Sequence, residues 1–87
     1  MEPSQLENLE PTIRQLIVQR FPAVESLSLT DEDNLLESGA VDSLGLLAIV
    51  DLLETNFGIK VEDIDVVMDN FGSIRALAQY VRQKKSS

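Results

Sequence analysis

The chain of 87 residues has no cysteine, no histidine and no tryptophan. Without cysteine there is no disulfide framework, no thiolate nucleophile and no cysteine-based metal site. Without histidine the usual general base and the commonest metal ligand are missing. Aromatic residues make up 5% of the chain, so its core must be aliphatic. Positive charge is scarce as well: seven basic residues face fifteen acidic ones, for a formal net charge of −8. From Glu25 to Asp69 the only basic residue is Lys60, whereas Arg75, Arg82, Lys84 and Lys85 crowd a C-terminal segment that holds no acid. Such a field repels nucleic-acid phosphates and steers basic protein surfaces towards the middle of the chain. No apolar run has the length of a membrane span, and "MEPSQLENLE" offers neither a basic region nor an apolar core. A cytoplasmic protein with no membrane and no nucleic-acid partner is therefore expected.

What is present suffices for one small domain. The hydrophobic and charged fractions, 44% and 25%, are ordinary for a globular protein. A chain of this size buries somewhat over ~60% of its unfolded surface, an adequate core but not a generous one.

Residues 1–9 read as a leader, in which Ser4 and Glu7 have capping-box spacing. Pro11 fits the first position of a helix, where its missing N–H costs nothing. That helix is predicted to run to about Arg20 with Ile13, Leu16, Ile17 and Phe21 on one stripe, and Pro22 ends it. A long connection follows over residues 21–42. Its Val24, Leu27, Leu29, Leu35 and Leu36 imply that it lies across the core and does not hang in solvent. The clearest element is the second helix, where Leu46, Ile49, Val50, Leu53 and Phe57 follow the i, i+3, i+4, i+7, i+11 rhythm of a buried face. Gly58 supplies a left-handed stop, with Ile59 packing back on Leu53. "EDIDVV", residues 62–67, predicts a short helix or turn. Asn70 is the expected N-cap of a last helix whose inner stripe is Ile74, Leu77, Ala78 and Val81. The basic end of that helix suits the negative pole of its dipole. No strand alternation or repeat is visible. The predicted fold is all-α: a small bundle of three main helices plus a short one, with a long loop between helices 1 and 2. The domain spans 10–83, and 84–87 is a tail.

The informative stretch is "ESGAVDSLGLLAIVDLLETNFGI", residues 37–59. Asp42 and Ser43 stand where the loop meets the apolar helix, and both are preferred N-caps, so capping alone accounts for either. Gly39 and Ala40 keep the approach slim. A helix N-terminus also presents free N–H groups and the positive end of the macrodipole, a favourable seat for a phosphate. Ser43 has no histidine to activate it, which excludes an enzyme built on this serine. The acid clusters do not make calcium loops. "DEDNLLESGAVD" has Leu35 at the fifth position and Leu36 where a glycine is needed, and "DIDVVMDNFGSI" fails likewise at Val67 and Met68. No metal site is expected.

The segment "SGAVDSLGLLAIVDLLETNFGI" resembles the phosphopantetheine attachment segment of acyl and peptidyl carrier proteins, whose core is Asp-Ser-Leu at the start of the second helix. "NFGI" and "DNFGSIRALAQYV" are also family-like, and the similarity extends from about residue 10 to residue 83. The resemblance implies that Ser43 takes a 4′-phosphopantetheine arm from coenzyme A. It implies that a phosphopantetheinyl transferase supplies the chemistry, and that acyl or aminoacyl groups are carried as thioesters. It makes the chain a substrate passed among enzymes and not a catalyst. The expected partners are that transferase and acyl-loading, elongating or transferring enzymes with basic docking patches. The implied contacts are Asp42 and Leu44, the latter partly exposed at the foot of the arm, together with Asp51 and Glu54, which keep the helix acidic. The carrier is expected to be a monomer.

One departure stands out. Carriers of dissociated fatty acid synthesis usually have acids two and five residues after the serine, on the face that basic enzyme patches read. Here those positions are Gly45 and Ala48. A mid-helix glycine costs roughly 1 kcal/mol relative to alanine, so Gly45 calls for a packing or contact reason. The departure favours a free-standing carrier in a polyketide, nonribosomal peptide or related specialised pathway. The alternatives are a housekeeping fatty acid carrier and an unmodified helical module that docks through its apolar, acid-rimmed second helix.

Overall fold

Leu9, Ile13 and Ile17 recur one turn apart and are all buried, which sets the inward face of helix α1, Leu9–Arg20. The computed structural model describes residues 9–86, with side chains through residue 85. The expected leader and its Ser4–Glu7 capping box therefore lie outside the described residues, apart from residue 9, which is already helical. Pro11 is the third residue of α1 and not the first. Its missing N–H still falls among the four donors that have no acceptor inside a helix.

Pro22 does end α1, but irregular chain does not follow at once. With φ −58° it starts a single-turn helix α2, Ala23–Ser26, which buries Val24. The rest of the long connection crosses the core as its apolar residues predict. Leu35 is buried, and Leu29 and Leu36 are partly so, while Leu27 points outward and is 52% exposed. Polar bonds hold the connection in place. The Leu35 amide donates to the Gly72 carbonyl at 2.8 Å, and the Arg75 amide donates to the Asp31 carbonyl at 2.9 Å. The Asp31 side chain accepts from Arg14 Nη2, also at 2.8 Å.

Helix α3, Ser43–Phe57, buries Ile49 and Leu53, with Leu46, Val50 and Phe57 packed along the margins. Gly58 closes it at φ 65°, ψ 28°, a left-handed conformation that glycine adopts without steric penalty. Its amide donates to the Glu54 carbonyl. A 3₁₀ turn, Asp63–Asp65, lies within residues 62–67, where a short helix or turn is expected, and a separate one-turn helix α4, Met68–Phe71, follows beyond that stretch. The last helix, α5, runs Ile74–Ser86.

Asn70 does not cap α5. It lies inside α4, and its Nδ2 donates to the Asp65 carbonyl at 2.9 Å. The cap is Ser73, whose Oγ accepts from the Ala76 amide at 3.1 Å. α5 also continues through the stretch expected to be a tail. Lys85 Nζ donates to the Phe57 carbonyl at 3.0 Å, which satisfies one of the last carbonyls of α3. Lys84 Nζ lies 5.9 Å from the centre of the Tyr80 ring.

α5 packs on both α1 and α4, and α1 on α2, so the last helix is the spine of the domain. Ile74, Leu77, Ala78 and Val81 are fully buried on its inner stripe. A paired Arg82–Glu10 contact, 2.8 and 3.2 Å, joins the outer edges of α5 and α1 and holds the Glu10 carboxyl below the usual range. Among the described residues there is no strand, and no helix is long and apolar enough to cross a membrane.

Tyr80 ties the 3₁₀ turn to α5. Its hydroxyl donates to Asp65 Oδ2 at 2.8 Å, and its ring lies against Phe71 with centroids 5.4 Å apart. Burial, and then the Asp65 bond, push the phenol up to about 12 from an ordinary value of 10.0. The neutral phenol is the form that the fold favours. Its contribution is therefore complete below pH 10 and disappears as the pH rises to about 12. Tyr80→Phe should cost about 1–2 kcal/mol at neutral pH. Thermal melts of both proteins should show a gap that is constant up to pH 10 and closes towards pH 12. A gap that persists at the top of that range would contradict this account.

Candidate functional site

The loop delivers the chain to the start of α3 through a closed turn. Leu35 and Val41 are both buried, and the Val41 amide donates to the Leu35 carbonyl at 3.1 Å. Ser38 fastens the inside of this turn, with Oγ donating to the Leu35 carbonyl and accepting from the Ala40 amide. With Val41 anchored, Asp42 emerges in extended backbone, φ −98° and ψ −178°, and its Oδ1 accepts from the Gly45 amide at 2.7 Å. The Asp42 carbonyl accepts from the Leu46 amide at 3.3 Å. Asp42 is thus the N-cap, and Ser43 is the first helical residue.

Ser43 is exposed, as is Asp42, and Leu44 projects with 76% of its surface accessible. The amides of Ser43 and Leu44 precede the first intrahelical acceptor. A hydroxyl on an exposed first turn, flanked by unused N–H donors, can hold an anionic phosphodiester without desolvating a charge. Among the described residues no hydrogen bond joins the Ser43 hydroxyl to a base, and Asp42 directs its Oδ1 to the Gly45 amide.

The remaining expected residues divide. Asp51 is exposed on the outer face of α3. Glu54 is only half-exposed, and its Oε2 accepts from the Val61 amide at 2.9 Å, so it also fastens the chain that leaves the helix. Gly45 requires a correction. It was placed with Ala48 on an outward face, but it is buried, and Ala48 is half-buried. The reason is its helical register: residues 45, 49 and 53 lie one turn apart, so Gly45 shares the face of buried Ile49 and Leu53. Leu47 was missed. It is 64% exposed one turn from Leu44, and it falls off the inward stripe that the apolar spacing defines. The 3₁₀ region adds further exposed apolar side chains, Ile64 above all at 83%.

Residues 11–81 match the family model described as "Phosphopantetheine attachment site". The chain belongs to this family. Its covalently attached group is 4′-phosphopantetheine, and the chain is a carrier domain. The acyl carrier protein of Thermotoga maritima is 27% identical over 78 residues, covering 90% of this chain and 93% of that protein. The D-alanyl carrier protein of Streptococcus pyogenes serotype M5 is 28% identical over 76 residues, covering 87% of this chain and 94% of its own. The two relatives differ in the cargo that their names state, one acyl and the other D-alanyl.

The cap makes the carrier's long helix sensitive to one side chain. Asp42→Ala should lose about 1 kcal/mol of stability, whereas Asp42→Asn should retain most of it. For a domain of this size the alanine variant should melt roughly 4–8 °C lower. Equal melting temperatures for wild type and Asp42→Ala would show that the 2.7 Å bond carries no weight.

Proposed function

We propose that Ser43 is the attachment residue, and that the chain carries acyl or aminoacyl intermediates in a specialised pathway of the polyketide, nonribosomal peptide or a related kind. The observation that supports this most is the position of Ser43: exposed, first in α3, beside a capping aspartate and two amides without helical acceptors. In the transfer, Ser43 Oγ attacks the phosphorus of coenzyme A that bears the pantetheine. The phosphoanhydride bond breaks, and adenosine 3′,5′-bisphosphate leaves. The serine proton goes to a base of the transferase, since this chain holds no histidine and no base is hydrogen-bonded to the serine. Once bound, the group supplies a terminal thiol on a long arm, on which cargo is held as a thioester.

This chain's own residues hold the arm's foot outside the core and offer enzymes a docking face. Leu44 and Leu47 form its apolar centre, and Asp42 and Asp51 supply negative charge for basic patches. Glu54 contributes through the oxygen that the Val61 amide leaves free. The carrier is passed between enzymes and does no chemistry of its own. The names of the relatives support cargo of either the acyl or the aminoacyl kind.

Incubating the apo protein with coenzyme A, magnesium and a broad-specificity transferase should add the mass of one phosphopantetheinyl group. Ser43→Ala should stay unmodified while folded by circular dichroism, and uptake by that variant would sink the assignment. The pathway reading has a separate test. Ala48→Glu should speed malonyl transfer to the holo protein by enzymes of dissociated fatty acid synthesis. The gain should stay within ~1 kcal/mol and fade as salt rises. A wild-type rate already equal to a housekeeping carrier's, with no gain in the variant, would refute the specialised pathway and leave the carrier role standing.

A further inference from the structure

We infer that Gly45 is a positioning residue for modification: the close approach that only glycine permits there sets the direction of the Ser43 hydroxyl. The inference rests on Ser43 being the attachment residue. A Cβ at residue 45 would lie 2.7 Å from Val41 Cγ1, 2.9 Å from Phe21 Cε1 and 3.2 Å from Phe21 Cζ. Val41 has little room to yield, and the Phe21 ring would have to turn. Val41 is 2% exposed and anchors the turn before the helix, and the Phe21 ring packs against the core at the end of α1. The Phe21 backbone is fixed too, its amide donating to the Ile17 carbonyl at 2.7 Å. The first turn of α3 therefore rests directly on a ring edge and a valine methyl. The Gly45 amide that closes the Asp42 cap belongs to the same residue that makes this contact. Any side chain at 45 lifts the turn off its support and pulls on the cap. Ser43, two residues earlier on that turn, moves with it.

The same contact bears on recognition. Position 45 lies on the buried face of α3, so an acid there has no room on this backbone and would not face a partner. Gly45 thus excludes the charge as well as placing the hydroxyl, and it leaves Leu44 and Leu47 to dominate the first turns of the helix.

The test is Gly45→Ala. Alanine gains helix propensity while it loses the fit, so the melting temperature should move by only a few degrees. The loss should appear in the transfer. At saturating coenzyme A, kcat for modification should fall about tenfold while the KM for coenzyme A stays unchanged, because a displaced nucleophile loses its attack geometry. Amide hydrogen exchange at residue 45 should quicken by a similar factor as the cap loosens. Adding Val41→Ala removes the closest clash while the approach to the Phe21 ring remains, and it should restore part of the rate, which a general loss of stability would not do. A folded Gly45→Ala protein with wild-type kcat and wild-type exchange would overturn the inference. If Gly45→Ala fails to fold, Phe21→Leu keeps the glycine but removes the ring edge. It should slow transfer about threefold, and a wild-type rate there would overturn the inference equally. Uptake of the group by Ser43→Ala would sink the Ser43 assignment itself. Transfer to Ser43 that no substitution at residue 45 alters would sink only this inference.

Discussion

The bond from the Gly45 amide to the Asp42 carboxylate fixes where the long helix begins, and most of the site's geometry follows from it. A helix start one residue earlier or later would rotate the first turn by about 100° and carry the serine away from the open side. The carboxylate can accept that amide only because Asp42 leaves the core in extended backbone. It does so because Val41 is buried immediately before it. Val41 is in turn held by its bond to the Leu35 carbonyl, and Leu35 by its bond to Gly72. The exposed hydroxyl is the last link of a chain of constraints that starts in the core.

The charge distribution gains a structural meaning from the same view. The cations of the C-terminal helix lie against partners in the rest of the fold, Arg75 at the surface and the others half-buried. Arg82 pairs with Glu10, Arg75 lies 3.8 Å from Glu32, Lys85 closes the end of α3, and Lys84 lies over Tyr80. Their positive charge balances acids of α1 and the long connection. Asp51 and the carboxylates of residues 62 and 63 remain exposed. The net field is therefore lopsided, and its negative side includes the outer face of α3.

Much of this was legible in the residue spacing, and what was not has identifiable causes. The inward stripe of α3 and its glycine stop were read correctly because both are local: periodicity and a left-handed cap depend on neighbours within a few residues. The position of Ser43 at the helix start was legible for the same reason. The cap of the last helix was misplaced because Asn70 and Ser73 are both good caps. The choice between them depends on Phe71 being pulled into the core as part of a separate turn, a tertiary fact. The Ala23–Ser26 helix was missed because four residues are too few to show a period. Gly45 was placed on the wrong face because a pattern of apolar side chains does not count a residue without one. Its partner Phe21 lies across the whole length of the connecting loop.

The long connection is stapled to the beginning of the last helix by two backbone bonds, from Leu35 to Gly72 and from Arg75 to Asp31. During synthesis the segment before Ser43 leaves the ribosome well before its acceptors and donors at residues 72 and 75 exist. The residues before Ser43 are then present without the partners that hold them across the core. Presentation of the serine is thereby coupled to completion of the bundle. A chain truncated before residue 72 would lack both bonds, and the turn that leads into Ser43 would then rest on its own local bonds alone.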